Sequence, residues 1–590
     1  MFHRKHGFQK PIDVHQCSAA VVYTLVTAGF YVFSAPLLEP RALHIALQAV
    51  FALLAGATLG LNIVTTLLDP SDFGVPPQDK PTELCFTCLL CQLVFAPAFA
   101  NETTSLPILD ARCLRPNQLS AFSPIIAGIL AANAVLRETP SSPPAAATPG
   151  VDHEWATLLD YCYFFYETQR SGHLPARLAG DPGLPPPDWR GDSALGDSDG
   201  HNLTGGHYDA GDHLKLVFPM GYTFTTLATG LLEFEQAGQS SYKTAKVYDK
   251  ALGTLRWATD FLIKCHIGPS QFVAQVGDTN ADHAYWGRPE DMTMSRPPYI
   301  LDTSTPSADL LGGVAAALAA ASRVFNASDP TYAAILLAEA RTLFSSYLDD
   351  LTSAAAQLFA ATGEAAYLTQ AKQFWAQSLA QEGSQSYKVS GWENQLWTAA
   401  VVMSQLVSND TQYASALEAF LQAYVTGTDG VIITPKGLAW SNDYGSLRNA
   451  LGAAFLAQVY AKHIAVSQPL KALTYRCFAQ AQLHYAAGDA DHSYIVGFGS
   501  NPPTHIHHRA ASCPSPADGS CSFSTYTSPA PNAHVLYGAL VGGPLRDDSW
   551  TDSRTNYVQN EVALDYNAGF TGTPAAGATN WSHYFAAKLA

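Results

Sequence analysis

Two aspartates, Asp209 and Asp212, have the residue type and spacing to do acid–base chemistry in this sequence. They lie in the stretch GGHYDAGD, which begins at Gly205, and its glycines permit the tight backbone of a loop. Two carboxylates held this close do not both ionise readily unless a water, a cation or a hydrogen-bond donor stabilises the charge. The pattern is typical either of an ordinary surface turn or of a general base.

The composition narrows the class of partner. The chain has 590 residues, of which 47% are hydrophobic and 11% aromatic, so there is ample material for a core. Only 14% of the residues are charged, and the net charge is −17, which argues against a nucleic-acid partner. We therefore expect a neutral polymer as the partner.

Long apolar runs occupy much of the first hundred residues. Residues 17–38 and 43–68 are each long enough to cross a bilayer, for which about 20 residues suffice. A third run, residues 85–100, ends in Ala98-Phe99-Ala100, which resembles a signal-peptidase site. If that run acts as a signal, everything after it is exported.

These features predict four segments in the chain. They are two transmembrane helices within residues 1–75, a signal-like apolar segment at 76–100, a Pro- and Ala-rich linker at 101–152, and the main domain at 153–590. We expect the main domain to lie outside the cytoplasm, either secreted or membrane-anchored, and to be a monomer. The sequence leaves open whether residues 1–100 are an anchor, a signal segment or a gene-model fusion.

Residues 1–75 resemble the opening of the DHHC protein acyltransferases. The resemblance rests on the stretch HGFQKP from His6, on the two apolar runs and on DPSD from Asp69. The cysteine-rich zinc domain that carries the chemistry of that family does not follow, so we predict no acyl-transfer activity. Cys85, Cys88 and Cys91 lack a second Cys or His pair at ligand spacing, and we predict no metal site.

Cys513 and Cys521 are the best disulfide candidates among the ten cysteines of the chain. The seven residues between them are rich in Pro, Gly and Ser, and could form a short closed loop. We predict a disulfide between these two residues.

Helical periodicity dominates from residue 153 onward, and strand patterns are scarce. The pattern predicts helices over 153–169, 222–236, 243–265, 307–325, 331–349, 365–381, 394–407, 413–423, 446–461 and 469–485, with more near the C-terminus. Alanine-rich runs such as Ala315–Ala321 allow helices to pack closely. We predict an all-α domain, preceded by an N-terminal apolar helical hairpin.

Three stretches around the aspartate pair carry a resemblance to a known family. They are QRSGHLP from Gln169, WRGDS from Trp189 and KLVFPM from Lys215. Together with the aspartate pair they closely resemble glycoside hydrolase family 9, the inverting β-1,4-glucanases usually called cellulases. The resemblance covers residues 153–590 and implies an (α/α)6 barrel, a β-glucan substrate and no required cofactor.

The first diagnostic pattern of that family is matched by SYIVGFGSN from Ser493, followed by IHHR from Ile506. Arg509 offers a fixed fork of hydrogen-bond donors, and His507 offers a donor near neutral pH. We expect both to bind sugar hydroxyls around the scissile bond. The alternative for a His-His-Arg run is a solvated turn.

The second diagnostic pattern is matched by Trp550, Asp552, Tyr557, Glu561 and the Asn-Ala pair at 567–568. A lone Glu in the apolar surround EVAL, which begins at Glu561, is the kind of carboxyl group that holds a proton at working pH. The resemblance implies that Glu561 is the proton donor and that Asp552 and Tyr566 shape its neighbourhood. An exposed helical Glu is the alternative.

Two loops are expected to contact sugar rings. The resemblance implies sugar contacts for His283 and Trp286, and a structural plug is the alternative for Trp286. Trp440 and Tyr444 offer aromatic faces on which pyranose rings can stack. Tyr444 stands where many relatives have Trp.

The implied reaction is a single displacement with inversion. We assign Asp212 as the base, Asp209 as a second holder of the same water, and Glu561 as the acid. Because the water must fit between base and sugar, the carboxyl groups of Asp212 and Glu561 should lie ~6.5 to 9.5 Å apart.

The sequence departs from the family between Tyr347 and Phe359, where relatives carry a longer insertion. A short helix must then replace a longer hairpin, which puts barrel closure in doubt. It also leaves a structural calcium open, because the hard oxygen ligands that calcium prefers are not evident there. The rival hypothesis is therefore a catalytically inactive carbohydrate-binding, membrane-associated protein.

Overall fold

The structure, a computed structural model, describes residues 153–175, 187–235, 241–346, 352–382, 389–489 and 491–577. The predicted transmembrane helices, signal-like segment and linker lie outside the described residues.

Twelve long helices make up most of the described chain. In chain order they are α1 His153–Thr168, α2 Val217–Phe234, α3 Tyr248–Lys264, α4 Ala308–Phe325, α5 Pro330–Ser346, α6 Thr352–Thr362, α7 Ala365–Glu382, α8 Leu396–Leu406, α9 Gln412–Thr426, α10 Ser446–Ile464, α11 Pro469–His484 and α12 Leu564–Gly577. Short helical segments are Ser241–Thr244, Thr279–His283, Pro289–Asp291, Tyr485–Asp489, Arg509–Ser512, Phe523–Tyr526 and Tyr557–Asn560. The ten helices predicted from periodicity are all present, and α2 begins five residues earlier than expected.

The even-numbered helices close a ring. Each of α2, α4, α6, α8, α10 and α12 packs on the next, and α12 packs on α2. The odd-numbered helices pack on the outside, for example α5 against α4 and α6, and α11 against α10 and α12. This arrangement is consistent with the expected (α/α)6 barrel. The doubt about closure is resolved by α6, which follows the shortened segment and packs against both α4 and α8.

Glycines bring the inner helices into close contact. A Cβ on Gly221 of α2 would lie 2.7 Å from the carbonyl carbon of Gly313 in α4. A Cβ on Gly569 of α12 would lie 2.7 Å from the Cα of Gly452 in α10. Since no side chain fits at these crossings, the ring depends on backbone packed directly against backbone.

By length and composition, α4 is the one helix in the described part of the chain that could cross a bilayer. However, 78% of it is buried inside the molecule. Its apolar residues cover all faces, as is typical of a helix at the centre of a large protein.

The N-terminal ends of the inner helices meet at one end of the ring. Those of α2, α4, α6 and α8 line a single cavity, through Phe218, Asp309, Thr352 and Leu396. At α10 and α12, the hydroxyl of Tyr444 reaches the carboxylate of Glu561. The residues expected to do chemistry therefore lie in loops at this end, which we call the ring mouth.

Short antiparallel strands correct the all-α prediction. A four-stranded sheet contains β1 Lys215–Leu216, β2 His266–Gly268, β3 Gln271–Val276 and β4 Pro298–Leu301, and a hairpin contains β5 Ile432–Ile433 and β6 Ala439–Trp440. In the larger sheet β3 pairs with each of the other three strands. The pairing of Lys215 with Val276 places the loop after β3 beside the loop that ends at Asp212. Strands this short escape periodicity analysis.

We predict that Gly221→Ala destabilises the domain, because its methyl group would press into the α4 backbone; overpacking of this kind costs about 1–3 kcal/mol. Gly253→Ala is the matched control, since Gly253 is exposed on α3 and its nearest neighbouring atom is the Arg170 Nη2, 3.9 Å away. The control should be neutral or stabilise by about 0.5–1 kcal/mol. Denaturant unfolding of both variants measures the difference, and equal effects would contradict the role given to the crossing.

Candidate active site

The aspartate loop is held against the end of α1 by hydrogen bonds. The Tyr208 N–H donates to the Gln169 carbonyl over 2.8 Å, and the Gln169 side-chain amide donates to the Ala210 carbonyl over 2.7 Å. Gly206 has φ of +74°, and a Cβ there would lie 2.6 Å from the Phe261 ring. Only glycine fits this position, so the run is a built loop rather than a free surface turn.

Backbone hydrogen bonds join this loop to the other two predicted site segments. The Arg509 N–H donates to the Gly211 carbonyl over 2.9 Å, and the Leu564 N–H donates to the Asp209 carbonyl over 2.8 Å. A Cβ on Gly211 would lie only 2.0 Å from the His507 carbonyl oxygen. The loops that carry the aspartates, the His-His-Arg run and the glutamate therefore touch through their backbones.

Asp209 and Glu561 both bind protons more tightly than free carboxyl groups. Burial raises the pKa of Asp209 well above its ordinary value, and the charges of Asp565, Asp212 and Glu561 raise it further. The Asp209 Oδ1 has no hydrogen-bond partner among the described residues. Burial, followed by the charge of Asp212, raises the pKa of Glu561 to about 8. Glu561 thus keeps its proton at neutral pH, as the sequence predicts for an acid.

Tyr444 contacts Glu561 directly. Its hydroxyl donates to the Glu561 Oε2 over 3.2 Å, and its side chain is 49% exposed. This hydrogen bond favours the ionised carboxylate and so lowers the pKa of Glu561, partly offsetting the effect of burial. Tyr444 therefore offers an aromatic surface at the ring mouth and also forms a hydrogen bond with Glu561.

Asp212 belongs to a network of charged groups. Its Oδ2 lies 3.4 Å from the His283 Nε2, and this hydrogen bond raises the pKa of His283. The neighbouring Asp282 is buried and pairs with Arg509. Burial, followed by the charge of Asp212, raises the pKa of Asp282. The guanidinium of Arg509 is thus held on one side by Asp282.

Asp212, Asp282 and His283 are also the one group in the described residues whose ligand atoms could hold a metal, lying within 4.8 Å of one another. Calcium takes about 6–8 oxygen ligands, and this set offers two carboxylates and an imidazole. It therefore does not fit the structural calcium that the family resemblance left open.

His507 differs from its predicted role. Its Nδ1 lies 2.8 Å from the Arg554 carbonyl, to which it donates, and burial lowers the pKa of His507. A neutral imidazole with a proton on Nδ1 has an acceptor at Nε2. The prediction that His507 donates near neutral pH is therefore wrong, and its free nitrogen accepts.

Two of the predicted site residues, Trp286 and Asp552, have hydrogen-bond partners within the protein. Trp286 is only 4% exposed, and its indole N–H donates to the Ser512 hydroxyl over 3.0 Å, which favours the structural alternative. The Asp552 carboxylate accepts hydrogen bonds from the backbone and hydroxyl of Thr504 and from the backbone of His505. Although burial alone would raise it, contacts with His505 and Thr504 lower the pKa of Asp552. Asp552 thus holds a loop in place.

The remaining two predictions lie at the edges of the site. Tyr566 is buried in a small apolar cluster with Ala210 and Ala563, directly below the aspartate loop. Trp440 is partly exposed in β6 and packs against the main core. Ala563 lies two residues after Glu561, and the role of Tyr566 in shaping the surroundings of Glu561 stays a prediction.

The sequence analysis missed a buried ion pair behind the acid. The Arg448 guanidinium donates to the Asp565 carboxylate over 2.9 Å and also pairs with Glu393. Asp565 and Arg448 are 117 positions apart in the sequence, so no local pattern links them.

The predicted disulfide is confirmed. Cys513 and Cys521 are bonded, with their Cα atoms 5.2 Å apart. The bridge closes a loop directly after the His-His-Arg run.

A closed ring of helices whose mouth holds a protonated glutamate and a pair of aspartates is typical of a hydrolase that uses acid–base catalysis. The family model described as glycosyl hydrolase family 9 matches residues 155–346 and 345–573. This protein belongs to that family. The match divides where the sequence is shortened, before α6.

Known proteins agree with this assignment. Endoglucanase 4 of Bacillus sp. (strain KSM-522) is 39% identical over 467 residues, which are 73% of this chain and 69% of that protein. The termite endoglucanase from Nasutitermes takasagoensis has 42% identity, a TM-score of 0.66, and coverage of 72% of this chain and 98% of its own. The cellulase Cel9M of C. cellulolyticum in complex with cellobiose has 33% identity and a TM-score of 0.63, with coverage of 72% and 98%. The chain spans about two thirds of the length of the first Bacillus relatives.

We predict that Gly211→Ala lowers activity at least about tenfold, because a clash costing about 1–3 kcal/mol separates the aspartate loop from His507. Gly196→Ala is the control, since a Cβ on Gly196 meets nothing within 4 Å. Hydrolysis of carboxymethylcellulose by both purified variants, with their unfolding midpoints, is the measurement. Full activity in Gly211→Ala would show that the site does not depend on this contact.

Proposed function

We propose that this protein hydrolyses internal β-1,4-glucosidic bonds of cellulose or related β-glucans with inversion at the anomeric carbon. The observation that carries the proposal is Glu561, whose pKa of about 8 keeps it protonated in a site that also holds Asp209 and Asp212. An acid that holds its proton, opposed to a carboxylate base, is what this reaction requires. The relatives, which are named endoglucanases, support the same activity.

In the proposed mechanism, Asp212 takes a proton from a water that Asp209 also binds. The unpartnered Oδ1 of Asp209 is a free polar atom for that water. The water attacks the anomeric carbon from one face while Glu561 protonates the leaving glycosidic oxygen. The expected separation of Asp212 and Glu561, ~6.5 to 9.5 Å, stays a prediction.

Substrate binding is assigned to groups around these carboxyls. We assign His283, His507 and Arg509 to sugar hydroxyls, with His507 accepting through Nε2. Trp440 and Tyr444 supply aromatic surfaces against which sugar rings can stack. A cellobiose complex of the similar enzyme Cel9M supports a β-glucan ligand.

The reaction needs no cofactor, as in glycoside hydrolases of this family. We propose that the domain acts outside the cytoplasm, secreted or membrane-anchored through residues 1–100, and as a monomer. The rival hypothesis of an inactive binding protein is not favoured, because the chain closely resembles endoglucanases along the whole domain.

We predict that Glu561→Gln abolishes hydrolysis, because an amide cannot donate the proton that the leaving oxygen needs; loss of general acid catalysis costs about 100- to 10,000-fold. NMR of fresh products from carboxymethylcellulose and mixed-linkage glucan should show α-anomeric ends with the unmodified full-length protein. Glu364→Gln is the control. Glu364 lies between α6 and α7, is exposed, and pairs with Arg341 of α5. Release of β-anomeric ends would contradict inversion, and full activity in Glu561→Gln would exclude Glu561 as the acid.

We predict that Tyr444→Phe moves the alkaline limb of the pH profile of kcat/KM to higher pH. The Tyr444 hydroxyl lowers the pKa of Glu561, so its removal lets that pKa rise above about 8. Activity declines as Glu561 loses its proton. The pH at which it declines should therefore rise by a few tenths to about one pH unit. Tyr367→Phe, on the outer helix α7, should leave the profile unchanged. A shift to lower pH would contradict this reading of the contact.

A further inference from the structure

Exposed aromatic side chains flank one side of the catalytic groups. Phe523 is 46% exposed and Tyr557 is 51% exposed, although both are near buried residues of the site. The ring of Tyr526 lies 6.1 Å from that of Phe523. We call Phe523, Tyr526 and Tyr557 the aromatic wall.

The aromatic wall is continuous with the active site. The ring of Tyr526 lies 5.8 Å from His507, and the ring of Tyr557 lies 6.1 Å from it. The rings of Tyr526 and Trp286 lie 4.6 Å apart. The guanidinium of Arg509 lies over the ring of Trp286. The rings of Tyr526 and Tyr557 thus lie directly beside His507.

The wall is held in a fixed position. The disulfide between Cys513 and Cys521 closes the loop immediately before Phe523. The Arg554 guanidinium donates to the carbonyls of Thr525 and Ser528 over 2.7 and 3.0 Å. The Ser522 hydroxyl accepts from the Ser524 N–H and begins the short helix Phe523–Tyr526. Large apolar groups held rigidly in water, next to a site, mark a binding surface rather than a loose loop.

We propose that the aromatic wall is an outer subsite that stacks a pyranose ring of the glucan chain beyond the bond that is cleaved. This inference rests on the proposed function. Sugar rings present apolar C–H faces, and an aromatic surface without charge suits a neutral polysaccharide. Phe523, which packs on Tyr526, then provides a stacking contact for a sugar ring distant from the cleaved bond.

The wall should matter only for substrates long enough to reach it. In the full-length protein, Phe523→Ala should lower kcat/KM for cellohexaose about three- to tenfold, the range expected when one exposed aromatic contact is lost. It should change kcat/KM for cellotriose less than about twofold, because a short chain can bind without reaching the wall. Phe523→Trp should retain the preference for the longer chain.

Ile335→Ala is the matched control, because Ile335 has a similar exposed fraction of 50% on the outer helix α5. It should leave both rates unchanged. Products of reducing-end-labelled cellohexaose should show altered cleavage positions in Phe523→Ala, which a purely structural role would not produce while the unfolding midpoint stays the same.

Equal losses on both substrates, or no loss on cellohexaose, would overturn the outer subsite. If the unmodified protein cleaves neither oligosaccharide nor polymer, the proposed function itself fails. If the unmodified protein cleaves both and the ratio of the two rates is the same in Phe523→Ala, the hydrolase assignment stands and only the subsite is lost.

Discussion

The contact between Gly211 and the His507 carbonyl is the constraint on which the site depends. At this point two backbones approach so closely that no Cβ fits, and the Arg509 N–H donates to the Gly211 carbonyl beside it. The Leu564 N–H holds the same loop through Asp209. Groups distant along the chain are thus positioned by main-chain hydrogen bonds rather than by flexible side chains, which is how an active site limits geometric error.

The ring of helices makes this junction possible. The aspartate loop precedes α2, and the glutamate loop precedes α12. Glycine crossings hold α2 against α4 and α12 against α10 at backbone contact distance. Because the core is close-packed, the helices move little, and they hold the loops at the ring mouth in position. The shortened segment before α6 leaves this intact, because α6 still spans between α4 and α8.

Electrostatics follow from packing several carboxyl groups into one mouth. Burial raises the pKa of Asp209 and of Glu561, and the charge of Asp212 raises both further. Arg448 neutralises Asp565 from behind. In the proposed mechanism, Glu561 holds a proton and Asp212 is the base.

The sequence by itself determined the helices, the three chemical motifs and the disulfide, because helical periodicity, glycine-flanked carboxylates and short Cys spacing are local signals. It could not determine which side chains face the cleft. Trp286 is buried beneath the site, and Asp552 holds a loop in place. His507 donates its Nδ1 proton in a hydrogen bond to the Arg554 carbonyl, which leaves Nε2 as an acceptor.

Only the tertiary structure decided those roles, and only it showed the small sheet, the ion pair of Arg448 with Asp565 and the exposed position of Phe523. The physical reason is that burial, tautomer and partner are properties of neighbours brought together from distant parts of the chain. A residue type states what a group can do, and the surrounding fold decides which of those things it does.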